Sequence, residues 1–177
     1  LNGTRVAVEG EYLYFIQPRL PRIPVDSHGV FRARRDGTGA PERIAAEPRG
    51  RNTSFLLEGG YLYWSSDEDE GSAALWRRGL TPNAPAQRLA TIKSHHVPLT
   101  LHHGRLFFVD ATGIASVPVD GSTPPTLHAA STLPERTSVV ADRACVYWTS
   151  ERGIYRSRLA GTAAPELIVA GGHYRGG

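Results

Sequence analysis

A short aromatic segment recurs four times along this chain and limits the folds open to it. The copies are Tyr12-Leu13-Tyr14-Phe15, Tyr61-Leu62-Tyr63-Trp64, Arg105-Leu106-Phe107-Phe108 and Cys145-Val146-Tyr147-Trp148. Their last residues are 49, 44 and 40 positions apart. A period of about 40–50 residues indicates an array of small structural units that must pack on one another to bury a core.

Each unit contains four segments with the signature of a β-strand. An apolar/polar alternation precedes the aromatic segment, which is typical of a half-buried strand. A third strand is predicted from Val30, Leu75, Ile114 and Ile154, and a turn such as Asp36-Gly37 or Asp120-Gly121 follows it. A proline and a fourth strand complete the unit. No segment has an apolar stripe at helical spacing, so we predict an all-β chain of four-stranded antiparallel units at about residues 4–49, 50–94, 95–134 and 135–174.

The sequence around the fourth aromatic segment resembles a known blade motif. Val146-Tyr147-Trp148-Thr149-Ser150 is followed by Gly153-Ile154-Tyr155-Arg156 and then by Leu159-Ala160-Gly161-Thr162. This pattern resembles the YWTD-type β-propeller blade and is similar to TolB-like and NHL-like bacterial repeats. The resemblance implies a β-propeller with one blade per unit. It also implies an Asp at the end of the motif that ties blades together. Ser66 and Ser150 replace that Asp in two units, and Asp110 stands there in the third.

The number of units leaves the closure of the ring open. Four units can close on themselves, form part of a longer propeller, or complete a ring with another chain. A row of stacked sheets that does not close exposes an apolar face at each end. We therefore expect completion by a second chain or by a further segment.

Composition narrows the function classes. The chain of 177 residues is 40% hydrophobic, carries a formal charge of +3, and has no apolar run long enough for a membrane span. Its arginines are scattered, which argues against a nucleic-acid-binding stripe. Because the sequence has no Met and starts at Leu1, we expect a processed or trimmed chain. The composition looks bacterial, and a periplasmic or extracellular location is favoured. Cys145 is the only cysteine and is predicted to be a core residue.

The candidate binding residues lie in loops that would form one rim of the array. The loop between the second and third strands of the first unit has three prolines and carries Arg19, Arg22, Asp26 and His28. Two interpretations stay open for this loop: an insertion that the fold tolerates, and a contact loop for a protein or an anionic partner. The matching rim positions of the next units hold Asp67, Asp69, Asp110 and Arg152. We interpret the acidic loop at Asp67 and Asp69 as a solvated turn, with oxygen ligation of Ca²⁺ as the alternative.

Known catalytic signatures are missing from the sequence. It has no Gly-x-Ser-x-Gly, His-Glu-x-x-His or phosphate-loop motif. The pairs His95-His96 and His102-His103 have no regular metal-ligand spacing, so no metal site and no cofactor is predicted. Three hypotheses follow: a non-catalytic module that binds a ligand on its rim loops or axial channel, a self-assembling propeller segment, and an enzyme (lyase, hydrolase or cyclase) with an axial site.

Overall fold

The computed structural model describes the strands of all four units. The described ranges are 6–17, 29–46, 55–69, 71–81, 83–93, 99–130, 137–160 and 164–171. They form sixteen strands in four four-stranded antiparallel sheets and contain no helix, which confirms the all-β prediction. Within these ranges, accordingly, there is no helix that could cross a membrane.

Strand order follows chain order in every sheet, so each sheet is a meander. Sheet 1 contains β1 (Val6–Glu9), β2 (Tyr12–Gln17), β3 (Gly29–Arg34) and β4 (Glu42–Ala46). Sheet 2 contains β5 (Phe55–Glu58), β6 (Tyr61–Asp69), β7 (Ser72–Gly79) and β8 (Ala86–Ile92). Sheet 3 contains β9 (Leu99–His102), β10 (Arg105–Asp110), β11 (Gly113–Pro118) and β12 (Thr126–Ala130). Sheet 4 contains β13 (Val139–Ala141), β14 (Cys145–Ser150), β15 (Gly153–Arg158) and β16 (Glu166–Ala170).

The aromatic segments form the second strand of each sheet, where pairing on both sides holds them. In β10, Phe108 faces Leu99 of β9 and Ala115 of β11, while the adjacent Phe107 faces Thr100 and Ser116. Successive side chains of a strand point to opposite faces. Each aromatic segment therefore places apolar groups on both faces of its sheet, and each face needs an apolar neighbour.

A β-bulge recurs at the same place in all four sheets. The register between the third and fourth strands shifts after Val30, Leu75, Ile114 and Ile154. The extra residues that the shift inserts in the fourth strands are Ile44, Leu89, His128 and Ile168. Because a bulge bends a strand and increases its twist, the sheets share one curvature and can stack.

Three buried clusters join the sheets in sequence. One lies between sheets 1 and 2 around Tyr14, Leu62 and Trp64. A second lies between sheets 2 and 3 around Leu75 and Phe108. The third lies between sheets 3 and 4; it is built on Phe107, Ile114, Val146 and Trp148. The described residues thus form an open row of four stacked sheets, and the core lies in the three spaces between them.

Candidate functional site: the outer faces of sheets 1 and 4

Every sheet in the row has a leading face, which points toward the preceding sheet, and a trailing face, which points toward the following sheet. Five apolar positions make up most of each face, and the strand registers place them at equivalent points. A cluster between two sheets consists largely of the trailing set of one and the leading set of the next. The two outer faces, leading on sheet 1 and trailing on sheet 4, have no described sheet against them.

The trailing sets are mainly apolar, with Thr100 and His128 in sheet 3 as the polar members. Each set has one residue in each of the first three strands and two residues at the bulge in the fourth strand. In chain order they are Ala7, Tyr14, Val30, Ile44 and Ala45; Leu56, Tyr63, Leu75, Leu89 and Ala90; Thr100, Phe107, Ile114, His128 and Ala129; and Val140, Tyr147, Ile154, Ile168 and Val169.

Burial separates the fourth trailing set from the other three. Val30, Leu75 and Ile114 are all 0% exposed, whereas their counterpart Ile154 is 36% exposed. Val169 is 45% exposed, although the alanines at its position in the other sheets are buried. At this position sheet 4 thus has a larger apolar side chain than the other three sheets, and it is in contact with solvent. Burying one Val or Ile completely stabilises a protein by about 1.5–3 kcal/mol.

The leading sets show the same contrast at the other end of the row. They are Val6, Val8, Leu13, Phe15 and Phe31; Phe55, Leu57, Leu62, Trp64 and Trp76; Leu99, Leu101, Leu106, Phe108 and Ala115; and Val139, Ala141, Val146, Trp148 and Tyr155. Val6 is 59% exposed, while Phe55, Leu99 and Val139 at the same position are 5%, 8% and 5% exposed. The outer leading face is therefore also an apolar surface without a neighbour among the described residues.

Stacked aromatic pairs mark the leading faces. Trp64 and Trp76 stack with ring centroids 6.2 Å apart, and Trp148 and Tyr155 stack at 5.9 Å. These pairs lie in the clusters between sheets. Phe15 and Phe31 stack in the same way at 5.8 Å on the outer face of sheet 1. An aromatic pair of this kind gives a rigid apolar contact surface.

An arginine on the trailing face of sheet 1 links that sheet to the next. Arg32 pairs with Glu42 across the strands, with Nη2 and Oε2 2.7 Å apart, and donates from Nη1 to the carbonyl oxygen of Leu80 in sheet 2 at 3.2 Å. Arg156 and Glu166 repeat the pair in sheet 4 at 2.8 Å. The Arg32 side chain is 13% exposed and that of Arg156 is 43% exposed. Arg156 thus has the intra-sheet partner but lies at an uncovered face.

Two cavities lie at the rim formed by the turns between first and second strands. The larger, about 610 Å³, opens on the outer trailing face, and Arg143, Tyr147, Arg156 and Arg158 line it. The Asp142 carboxylate accepts a hydrogen bond from the Tyr147 hydroxyl and raises the pKa of Tyr147 to about 12. The smaller, about 280 Å³, lies between sheets 3 and 4; among its lining residues are His102, His103 and Arg143. Arg143 donates from Nε to Nε2 of His103 at 3.1 Å.

The predicted rim residues divide into described and undescribed groups. Arg19, Arg22, Asp26 and His28 lie outside the described residues. Asp110 and Arg152 lie at equivalent turns, those between the second and third strands of sheets 3 and 4. Arg152 is exposed, and its amide donates to the Ser150 hydroxyl. These two residues are therefore on one rim, opposite the rim with the two cavities.

The prediction that Asp67 and Asp69 lie in a loop is wrong. Both residues belong to β6, which pairs with β7 up to Ser72, and Gly71 makes the turn at φ 84°. The register shifts between Asp67 and Asp69, and the intervening Glu68 forms an ion pair with Arg88. Backbone pairing beyond the aromatic segment extends the hairpin in spite of the like charges. The side chains of Asp67 and Asp69 lie outside what the structure describes, so calcium binding there stays the alternative to a solvated turn.

Asp110 makes a contact between sheets. Its Oδ1 accepts the Thr112 amide at 3.1 Å and so closes the turn, while Oδ2 accepts the amide of Lys93, just beyond β8, at 3.4 Å. The Ala111 amide donates to the Lys93 carbonyl at 2.9 Å alongside it. These bonds give Asp110 a structural role as a link between sheets 2 and 3.

A buried serine and a half-buried histidine form a hydrogen-bonded relay inside sheet 3. Ser116 Oγ accepts a hydrogen bond from Arg105 Nε at 2.9 Å and shares a second hydrogen bond with His128 Nε2 at 2.7 Å. Ser116 is 0% exposed, so its hydroxyl is shielded from any substrate. The relay fixes the bulge residue His128 next to Phe107, whose ring centroid is 5.6 Å from the imidazole.

Cys145 is buried, as predicted for a core residue, and it borders the larger cavity. Within the described ranges no three side chains of His, Cys, Asp or Glu converge as ligands of one metal ion would. The sequence predicted only in general terms that the two end faces of the row would be apolar and exposed. Their residues could have been found from the alignment of the four units.

Comparison with known proteins assigns no family: no protein-family model matches the chain, and a search of curated proteins finds no significant match.

Substituting equivalent isoleucines measures the difference between inner and outer faces. Ile114→Ala should lower the free energy of unfolding by about 2–5 kcal/mol because it opens a cavity in the core between sheets 3 and 4. Ile154→Ala should cost less than about 1 kcal/mol because the side chain already contacts solvent. Urea unfolding at low protein concentration measures both values. Equal losses would mean that the outer face is covered within a single chain.

His128 should make stability depend on pH. Burial, together with the positive charge of Arg105, lowers the pKa of His128 in the folded chain. The unfolded chain then binds the proton more readily, so this contribution to stability is complete above about pH 6.5 and declines as pH falls toward the folded pKa. His128→Leu, which restores the apolar bulge residue of the other sheets, should flatten the dependence between about pH 7 and 5. Denaturant midpoints across this range test it, and an unchanged slope would contradict it.

Proposed function

We propose that this chain is a set of β-propeller-type blades, of YWTD-like or TolB-like kind, that acts as a non-catalytic scaffold and assembles through its two outer sheet faces. The observation that carries the proposal is the pair of outer sets. Val6 and Ile154 are exposed, although the same positions are buried wherever one sheet follows another. Covering an apolar face that is in contact with solvent lowers the free energy of the system.

The inner interfaces indicate how such a face is used. Each combines an apolar cluster with hydrogen bonds near the rim, for example Gly60 N to Glu9 Oε1 at 2.8 Å and Gln87 Nε2 to the Asp120 carbonyl at 3.0 Å. Apolar contacts supply most of the free energy, while the bonds fix the register. The outer faces have apolar sets at the same positions, and the outer trailing face also has the arginine–glutamate pair, so stacking on another sheet is the function that their chemistry favours.

The assembly proposal is tested by the mass of the chain in solution. Sedimentation velocity over a range of concentrations should give a mass above 19.2 kDa that rises with concentration. Because the contact is apolar, association should persist at high salt, whereas a contact made by the rim arginines would weaken. A constant monomer mass at the highest soluble concentration would refute assembly.

Rim recognition of a protein, peptide or glycan is the second candidate. The 280 Å³ cavity between sheets 3 and 4 favours it, since two arginines, Arg105 and Arg143, line it together with Phe107 and a single carboxylate, Asp142. An excess of arginine beside an aromatic ring suits an acidic ligand. Arg19, Arg22, Asp26 and His28 belong to this proposal but lie outside the described residues.

A thermal-shift titration tests the rim cavity. A glutamate-rich peptide should raise the melting temperature of the native chain, and Arg143→Ala should abolish the increase because it removes the cavity's most accessible cation. A lysine-rich peptide of the same length is the control and should have no effect. The proposal fails if the glutamate-rich peptide produces no shift, or if it shifts the variant as much as the native chain.

A further inference from the structure

We propose that the outer trailing face of sheet 4 binds the outer leading face of sheet 1 in a second copy of this chain. Two copies would then close head to tail into a ring of eight sheets. This inference rests on the proposed assembly function and adds the partner, the orientation and the register. It follows from the three inner interfaces, each of which packs a trailing set against a leading set.

The inner interfaces provide the register of the new junction. Between sheets 3 and 4, the trailing Phe107 and Ile114 lie in one cluster with the leading Trp148 and Tyr155. Between sheets 1 and 2, the trailing Tyr14 and Val30 lie with Trp64 and Trp76. In the junction between copies, Tyr147 and Ile154 hold the trailing positions, and the stacked pair Phe15–Phe31 holds the leading ones. The new junction therefore combines aromatic and branched aliphatic side chains, as the inner interfaces do.

Arg156 supplies a specific hydrogen bond for the junction. Its counterpart Arg32 donates to the carbonyl of Leu80, the residue after β7. Leu80 is equivalent to Arg35, because the amides of both bond back to the residue before the second strand of their own sheet. The contact of Arg32 with sheet 2, transferred to the new junction, directs the guanidinium of Arg156 to the backbone carbonyl of Arg35 in the second copy. Burial of Arg156 to the level of Arg32 would accompany this bond.

Arg35 differs from the apolar residues at its position in the other sheets, and this difference affects the strength of the contact between copies. The positions equivalent to Arg35 are Leu80, Val119 and Leu159, and all three pack on the clusters between sheets. Arg35 would instead approach the arginines of the larger cavity, including Arg143 and Arg158. Like charges at close range weaken association and are screened by salt. We expect a junction that tightens as ionic strength rises.

Orientation and copy number follow from the chemistry of the two faces. A contact between two trailing faces would not reproduce the Arg32–Leu80 bond, in which an arginine of a trailing face reaches the sheet that presents its leading face. Head-to-tail contact between unlike faces forms a ring where the rotation closes. Two copies of four sheets make eight, which is within the range of about four to eight blades in closed rings of such sheets.

A mixing experiment tests the unlike-face contact. Val6→Glu disables the leading face and Ile154→Glu the trailing face, and both side chains are exposed, so each variant should fold. Light scattering should give two copies for the native chain and a monomer for each variant alone. The mixture of variants should recover a one-to-one pair, since each supplies the face that the other lacks. Glu151→Ala, on an exposed turn away from both faces, is the control and should associate like the native chain.

Two further variants test the register. Arg156→Ala should weaken association at least several-fold without changing the unfolding midpoint of the monomer. Arg35→Leu should tighten association and remove its dependence on salt. An Ile154→Glu or Val6→Glu variant that still pairs with itself would overturn the head-to-tail arrangement but leave assembly standing. A native chain that stays monomeric would overturn both proposals. Both would also fail if Val6→Glu and Ile154→Glu each destabilised a monomeric chain, because that result indicates a chain closed on itself.

Discussion

The structure depends on the face-to-face contact between successive sheets. Each four-stranded meander presents apolar side chains on both of its faces, so a single sheet cannot bury its own core. Leu62 and Tyr63 are adjacent in β6 yet lie in different clusters, one with sheet 1 and the other with sheet 3. Every sheet is therefore stabilised by its neighbours, as in other stacked repeat architectures. The two ends of the row are the places where this requirement is not met among the described residues.

The shared bulge makes the contact repeatable. Ile44 and Leu89 are inserted residues that nevertheless lie in the clusters, because the bulge turns them toward the trailing face. His128 occupies the same position in sheet 3, and the hydroxyl of Ser116 satisfies its imidazole. In addition, Ser157 of sheet 4 donates to the His128 carbonyl at 2.9 Å. A polar residue at this position is compatible with the packing only because both of its polar groups find partners.

The fold was predictable from the sequence to the extent that it depends on local pattern. Period-two alternation around Tyr61–Trp64 and the Asp120-Gly121 turn specify strands and hairpins, and the structure has them. The β6–β7 hairpin was predicted too short, since like charges at Asp67–Asp69 suggested a turn and strand pairing outweighed them. The exposure of the outer faces, in contrast, does not follow from local sequence pattern. Ile114 and Ile154 are the same residue at equivalent positions, and only the presence or absence of a following sheet separates their burial.

The fourth strand of sheet 4 is exposed, and its apolar residues have the features of a contact surface. Leu167, Ile168 and Val169 are each 41–46% exposed in β16, a run of β-branched and aliphatic residues with one flanking charge at Glu166. Such a run on an edge strand promotes disordered aggregation, and proteins commonly interrupt it with charge or proline. Here the charge of Glu166 is taken up by Arg156, and no interruption follows until Gly171. The inner fourth strands have alanine where Val169 stands. A larger side chain at the one uncovered position increases the apolar area that a matching sheet can bury, which favours a surface shaped for stacking over one that is incidentally exposed.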